Sequence, residues 1–197
     1  YLKRAKVFYT RGKEYGLKSL ASNGGFKRAL NKDLDTFKKS LKSFGRGSVD
    51  RLFWTAMCWG NLINLSKDSP LAISQFPKVE AMMARVLKLD EFYYYGGPHL
   101  FFGYSYGSRP RMFGGDPAKS KMHFEKALNA YQRKFLLGLV FYAKSYAVQN
   151  QDPELYDSLL NEVLNAKPGA LPKQRLGNEL AQVMAQWMLD NKSKYFE

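Results

Sequence analysis

The amino-acid sequence predicts an all-α protein in which antiparallel helical hairpins form an array within a single domain, residues 1–197. Apolar residues recur at spacings of three and four through most of the chain, which is typical of amphipathic helices, and no segment alternates as strands do. Similar helix ends at Leu87, Leu128 and Leu164 are 41 and 36 residues apart. Periods of about 34 to 45 residues are typical of helical-hairpin arrays, so we expect about four hairpins and a closing helix.

The first third of the chain divides into three predicted helices. The first covers Leu2–Ser22 and ends at Asn23-Gly24-Gly25, because glycine commonly terminates helices. The second covers Phe26–Phe44, with an apolar stripe of Leu30, Leu34, Phe37 and Leu41. The third covers Asp50–Leu65 and is apolar almost all round, which predicts a central buried helix.

The later helices mostly begin at proline, which is favoured in the first helical position. An aromatic helix either begins near Pro98 or begins at Phe92 with a kink at Pro98. The last helix carries an apolar stripe formed by Leu176, Leu180, Val183, Met184 and Trp187. The other helices are predicted over Phe76–Leu89, from Pro117, over Phe135–Val148, from Pro153 to Ala166 and from Pro172 to Lys192.

An aromatic cluster and two asparagines raise the possibility of a ligand cavity. The aromatic rings between Phe92 and Tyr106 exceed what a core needs; they either pack together or line a pocket for an apolar ligand. Asn61 and Asn64 lie in the otherwise apolar third helix. Their polar side chains either cap a neighbouring loop or orient such a ligand. The candidate cavity residues are Trp54, Asn61, Asn64, Tyr94, Tyr95 and Tyr104.

The segment around residues 103–127 resembles one tetratricopeptide repeat. Gly103 and Tyr106 fit its first helix, and Ser120, Phe124 and Ala127 fit its second at offsets of four and three. Gly103 and Ser120 are 17 positions apart, where the repeat allows about 12. The extra residues fall in a loop over residues 107–115.

This loop is the predicted site for a partner protein. Loops on a rigid helical scaffold often carry function, and arginine, methionine and aromatic residues are enriched at interfaces. The alternative is a harmless insertion that packs on its own protein. The candidate partner-binding residues are Arg109, Arg111, Met112 and Phe113.

Composition and motifs indicate a protein that is not an enzyme. Cys58 lies in an apolar context, we expect His99 in the core and His123 on the surface, and no set of residues has the spacing of a catalytic or metal site. We therefore predict no catalytic residues, no metal and no cofactor. The net charge of +14 suits an acidic partner, although scattered lysines also serve solubility alone.

An ordered set of short motifs resembles the TatT family, the tetratricopeptide-type T components associated with TRAP transporters. The set spans about Ala5 to Leu189 and consists of Trp54 and Trp59-Gly60, Gly96-Gly97-Pro98, Gly103, Arg109-Pro110, Gly114-Gly115-Asp116-Pro117, His123-Phe124-Glu125-Lys126-Ala127, Tyr142-Ala143 and Asn178-Glu179-Leu180-Ala181. The resemblance implies a periplasmic lipoprotein that partners a periplasmic solute-binding protein and self-associates as a trimer around an apolar cavity or pore. The family's lipidated cysteine has no counterpart here, so we expect any membrane anchor to lie upstream of Tyr1.

The sequence therefore predicts a non-enzymatic helical scaffold of a TRAP-type transport system, which binds a solute-binding protein and a small organic or hydrophobic ligand. One alternative is a basic helical module that binds nucleic acid or another acidic partner. That alternative needs basic residues gathered on one face between aromatics, whereas the lysines here are dispersed. A second alternative, an enzyme that uses the cavity, lacks an acid–base pair.

Overall fold

The computed structural model describes residues 1–196, which form eleven α-helices and no β-strand, so the all-α prediction is confirmed. The helices group into two compact units, unit 1 over Tyr1–Tyr93 and unit 2 from Tyr94 onward. The boundary falls inside helix α7, Tyr93–Gly107, where Tyr94, Tyr95 and Gly96 have φ of 47°, 60° and 76°. A left-handed backbone is costly for tyrosine, so this is a sharp break, and the regular part of α7 begins near Pro98. The single domain predicted for the chain stays a prediction.

Unit 1 consists of helices α1 to α6: α1 Leu2–Leu20, α2 Gly24–Ala29, α3 Leu34–Leu41, α4 Val49–Asn64, α5 Pro70–Ile73 and α6 Phe76–Leu89. Its core includes buried side chains of α2 and α3 as well as of α4 and α6, among them Phe26, Phe37, Leu52, Phe53, Val79, Met82, Met83 and Val86. α1 approaches α4 closely because two of its residues have no side chain. A Cβ on Gly12 would lie 2.5 Å from Cys58 Sγ, and one on Gly16 would lie 2.1 Å from Thr55 Oγ1.

The single helix predicted over Phe26–Phe44 is wrong, because the chain breaks between α2 and α3. Asp33 caps the new helix by accepting a hydrogen bond from the Thr36 backbone N–H at 2.9 Å. Lys78 Nζ donates to the carbonyls of Leu30 at 2.7 Å and Lys32 at 3.0 Å. A capping residue and a distant lysine thus satisfy the backbone groups that a continuous helix would have paired.

Unit 2 consists of α7, α8 Pro117–Ala130, α9 Leu136–Tyr142, α10 Pro153–Asn165 and α11 Arg175–Asp190. A π-helical segment, Ala143–Ala147, continues α9, so the helix predicted over Phe135–Val148 is present with one wider turn. Its core joins residues of all five helices, among them Leu100, Phe124, Leu139, Leu160 and Ala185. Pro117 takes the first position of α8, as predicted, and Asp116 caps the helix by accepting from the Lys119 N–H at 3.0 Å.

Of the five residues in the apolar stripe predicted for α11, Met184 packs against the core of unit 2, and the other four are at least half exposed. Leu176, Leu180, Val183 and Trp187 are 80%, 53%, 68% and 52% exposed, whereas the buried side of α11 is formed by Asn178, Ala181, Ala185 and Met188. Asn178 fixes this orientation. Its Oδ1 accepts from the Leu136 N–H at 3.0 Å, and its Nδ2 donates to the carbonyls of Lys134 and Pro168 at 2.9 and 3.1 Å.

Candidate functional site

The scaffold of the candidate partner-binding site is the α7–α8 hairpin, in which small residues bring the two helices together. A Cβ on Gly107 would lie 2.5 Å from Ser120 Oγ, one on Gly103 would lie 2.9 Å from the Phe124 ring, and one on Gly96 would lie 2.9 Å from Ala127 Cβ. These contacts run in opposite chain directions, so the helices are antiparallel. Ser120 Oγ also donates to the Gly103 carbonyl at 2.7 Å.

The loop over residues 107–115 is folded back on itself by backbone hydrogen bonds. The Asp116 N–H donates to the Tyr106 carbonyl at 3.1 Å and closes the loop, while the Gly115 N–H donates to the Pro110 carbonyl at 3.1 Å. A Cβ on Gly115 would lie 1.8 Å from the Arg109 carbonyl oxygen, so only glycine fits there. The loop tip is a 3-10 turn, Arg111–Phe113.

The four predicted partner-binding residues fall into two groups. Arg109 is half-buried and bonds its own helix, with Nε donating to the Ser105 carbonyl at 2.8 Å and Nη2 donating to Ser105 Oγ at 2.7 Å. Arg111 is exposed, and Met112 and Phe113 are 83% and 66% exposed. Arg109 therefore holds the loop in place, and the turn presents the other three side chains to solvent.

A buried histidine pair lies between α7 and α8, so the surface position expected for His123 is wrong. The Nδ1 atoms of His99 and His123 are 2.7 Å apart, which requires one nitrogen to donate and the other to accept. The rings of Phe102 and Tyr106 stack on His123 at 5.5 and 6.0 Å. Burial, and then the neighbouring His99 and Lys126, lower the pKa of His123 to about 4. The sequence signal for this burial is the pair of small residues Ser120 and Ala127, three positions before and four positions after His123 on α8.

The three tyrosines predicted to line a cavity make ring contacts within unit 2. Tyr95 stacks on Phe135 at 5.1 Å and meets Tyr131 edge-on at 5.3 Å, and Tyr94 meets Tyr95 edge-on at 5.5 Å. Tyr104 meets Phe141 edge-on at 6.1 Å, and burial raises its pKa. The tyrosines therefore belong to two aromatic groups, both of which pack.

Trp54, Asn61 and Asn64 lie on α4 in unit 1. Trp54 is 44% exposed and lines a surface cavity of about 280 Å³. Asn61 Nδ2 donates to the Met57 carbonyl of its own helix at 2.8 Å, and Asn64 is exposed. The other residues that line this cavity are Gly12, Gly16, Asp50, Arg51, Thr55 and Cys58. Of the residues predicted to line a cavity, Trp54 is thus the one that lines this cavity. The cavity lies where Gly12 and Gly16 of α1 cross α4.

Over the described part of the chain, no group of three His, Cys, Asp or Glu side chains could hold a metal ion. Within the same residues, no helix is long and apolar enough to cross a membrane.

These features define an all-α protein of packed helices in which an exposed loop joins α7 to α8. The sequence profile of the TRAP transporter T-component family matches residues 1–196. The chain therefore belongs to the TRAP transporter T-component family, as its motifs indicated. Members of this family are accessory components of a transporter and are not known as enzymes. The comparison with curated proteins gives no match.

Proposed function

We propose that this protein is a non-enzymatic scaffold of a TRAP transport system and that it binds the system's periplasmic solute-binding protein through Arg111, Met112 and Phe113. The observation that carries the proposal is the exposure of these three consecutive side chains on a loop tied down by its own backbone. A rigid loop loses little conformational entropy on binding. Methionine and an aromatic ring offer apolar contacts, and arginine suits an acidic partner.

The test is a titration with the solute-binding protein of the same TRAP system, identified by pull-down from the native envelope and mass spectrometry. The triple variant Arg111→Ala, Met112→Ala, Phe113→Ala should weaken binding by about 1–4 kcal/mol. Met122→Ala is the matched control, because Met122 is 53% exposed on α8 and lies outside the loop. Equal affinity of the triple variant and the control, with unchanged melting temperatures, would place the interface elsewhere.

Arg109 needs a separate variant because it bonds Ser105. Arg109→Lys keeps the charge but loses the planar guanidinium that makes both bonds. We expect this variant to bind the partner more weakly through a looser loop, visible as faster proteolysis between residues 107 and 115. Weaker binding with an equally resistant loop would indicate that Arg109 contacts the partner directly.

A small apolar ligand is the second part of the proposal, and the cavity beside Trp54 supports it best. The half-exposed indole and a volume of about 280 Å³ are near the lower limit for a small-molecule site. Binding of Nile red, a neutral apolar probe, should fall several-fold in Trp54→Ala. The control is Trp187→Ala, whose tryptophan is 52% exposed in unit 2. Equal binding by both variants would contradict a site at Trp54.

The proposal places the protein in the periplasm as a lipoprotein, which is what the family resemblance implies. It also includes self-association, with the trimer that the family resemblance implies. Fractionation of cells checks the location, and light scattering of the purified protein measures the number of copies.

A further inference from the structure

The exposed side of α1 carries basic and aromatic side chains in alternation. The alternating residues follow one another at intervals of four, three, four and three positions, so they form one stripe along the helix: Arg4, Phe8, Arg11, Tyr15 and Lys18. All five are exposed, and Phe8 and Tyr15 are 55% and 72% exposed. The Arg4 guanidinium lies 5.6 Å from the centre of the Phe8 ring. The stripe therefore presents positive charge and aromatic rings together to solvent.

Another side of α1 makes its contacts with the rest of unit 1. Gly12 and Gly16 bring the helix close to α4, and Leu20 is buried. Lys13 belongs to this inner side, because its Nζ lies 4.8 Å from the centre of the Trp59 ring. The stripe takes no part in these contacts, so its side chains can be replaced while the fold stays intact.

The charge of α1 favours an extended anionic surface as the partner of the stripe. The helix contains six basic residues and one acidic residue, Glu14, and thus carries a net charge of +5. On the neighbouring α4, Asp50 and Arg51 line the same small cavity as Gly12 and Gly16, and their charges cancel. Positive charge spread over a whole helix attracts an array of negative charges more than it attracts a single anion.

The apolar side chains of α1 favour a phospholipid membrane over a nucleic acid. Leu2 and Val7 are 74% and 50% exposed, and Val7 lies one turn before Arg11. A nucleic-acid backbone offers aliphatic side chains no apolar environment, whereas the boundary between lipid headgroups and acyl chains does. Aromatic rings are favoured at that depth, and arginine and lysine side chains extend from it to the lipid phosphates.

We propose that the stripe on α1 is a docking surface for a membrane that contains anionic phospholipids. Phe8 and Tyr15 enter the headgroup region, and the three basic residues of the stripe pair with lipid phosphates. The helix lies along the membrane surface and keeps its contacts with α4. This inference goes beyond the proposed function, because it requires neither a lipid anchor nor the solute-binding protein.

Co-sedimentation of the purified protein, without any lipid modification, with vesicles tests the surface. The vesicles contain phosphatidylglycerol and phosphatidylcholine at about 3:7, or phosphatidylcholine alone, in about 150 mM salt. We expect half of the protein to bind the anionic vesicles at about 0.1–1 mM accessible lipid and little to bind the neutral ones. A wild type that does not bind the anionic vesicles, or that binds both kinds equally, overturns the inference.

A charge variant and a matched control separate the stripe from the net charge of the protein. The charge variant carries Arg4→Gln, Arg11→Gln and Lys18→Gln. The control removes the same charge from exposed lysines at the end of α3 in the same unit, as Lys38→Gln, Lys39→Gln and Lys42→Gln. With unchanged circular dichroism spectra, the charge variant should bind anionic vesicles about tenfold to 100-fold more weakly and the control about twofold more weakly. Equal weakening overturns the inference, because the net charge alone would then explain the binding.

An aromatic variant separates a membrane from a soluble polyanion. Phe8→Ala, Tyr15→Ala keeps every charge, so it should bind heparin at about 20 mM salt like the wild type, while its binding to anionic vesicles should fall about fivefold or more. The control Met122→Ala, Trp187→Ala removes two half-exposed apolar side chains of unit 2 and should bind vesicles like the wild type.

Three outcomes with these variants overturn the inference. The first is full vesicle binding by the aromatic variant. The second is tighter binding of the wild type to a nucleic-acid single strand than to anionic vesicles at about 150 mM salt, which would assign the stripe to base stacking. The third is a change in the number of copies per particle in either α1 variant, measured by light scattering, which would place the stripe between copies of the chain.

Discussion

His99 and His123 form a polar contact in a part of unit 2 that aromatic rings otherwise occupy. Their Nδ1 atoms are 2.7 Å apart, and Phe102 and Tyr106 stack on His123. A hydrogen bond between two neutral imidazoles needs no charge, so it tolerates a buried position. While His123 is neutral, the pair therefore ties α7 to α8 without a buried charge.

The pH dependence of stability follows from this pair. The pKa of His123 is about 4 in the folded protein, against about 6.5 in the unfolded chain. Between these values the unfolded chain binds more protons, so the free energy of unfolding falls as the pH drops below about 6.5 and the loss is complete near pH 4. We expect the loss to be on the order of 1–3 kcal/mol, measured by urea unfolding at a series of pH values.

The variant His123→Phe provides the comparison for this pH dependence. It keeps an aromatic ring between Phe102 and Tyr106 but has no group that titrates. Its stability should change less than that of the wild type between pH 6.5 and 4.5. Identical pH profiles for the two proteins would mean that carboxylates, and not His123, dominate the dependence.

At the level of the helices, small residues determine how closely neighbouring elements approach. Gly103 lies against the ring of Phe124, which in turn stacks on Tyr142 at 4.6 Å. Phe124 and Tyr142 are 0% and 1% exposed, so neither ring has free space to move into. The α7–α8 contact therefore depends on the absence of a side chain at position 103.

The variant Gly103→Ala tests this packing. Alanine favours a helix by about 1 kcal/mol over glycine, but its Cβ would lie 2.9 Å from the Phe124 ring. Because overpacking in a dense core costs about 1–3 kcal/mol, we expect a net loss of stability in urea unfolding. Gly169→Ala is the control, since a Cβ there meets nothing within 4 Å. Equal or higher stability of Gly103→Ala would show that the hairpin relaxes freely.

The starts and the buried faces of the helices show which parts of the fold could be predicted from the sequence. Asp116-Pro117 fixes the start of α8 because capping and proline geometry are local effects. Periodicity also indicated α11, but it could not identify the inward face, because the inner side uses small residues and Asn178, whose partners lie as far as 42 and 44 positions away. The break before Asp33 depends on Lys78 in another helix.

The position of the candidate loop could be predicted from the sequence, whereas its internal hydrogen bonds could not, and its role in binding stays a prediction. The excess length between Gly103 and Ser120 identified the loop, and the exposure of Met112 and Phe113 agrees with a surface that binds a partner. The bonds from Arg109 to Ser105 depend on the loop backbone, which the sequence does not specify. The packing of Tyr95 on Phe135 likewise requires the left-handed turn at Tyr94 and Tyr95.

Across the whole molecule, the positive charge is unevenly divided. Unit 1 has 18 basic and 8 acidic residues and thus carries +10 of the net +14. Some basic side chains are held internally, as Lys78 is by two backbone carbonyls. Others stand on α1, beside the exposed rings of Phe8 and Tyr15, and on α3, whose Phe37 ring is buried. Charge alone predicts attraction to any polyanion, without recognition of a base sequence.

Binding to nucleic acid should therefore be loose, independent of sequence and confined to low salt. Counterion release makes such binding fall steeply as salt rises, so a duplex and heparin should both bind at about 20 mM salt and both be lost near 150 mM. Fluorescence anisotropy with labelled duplex, single strand and heparin measures all three under the same conditions. Replacing Lys38, Lys39 and Lys42 with glutamine should weaken binding to all three polyanions by a similar factor, because each lysine contributes only its charge. Tight binding of one nucleic acid at 150 mM salt, or a factor that differs strongly between the duplex and heparin, would instead favour a dedicated nucleic-acid site on unit 1.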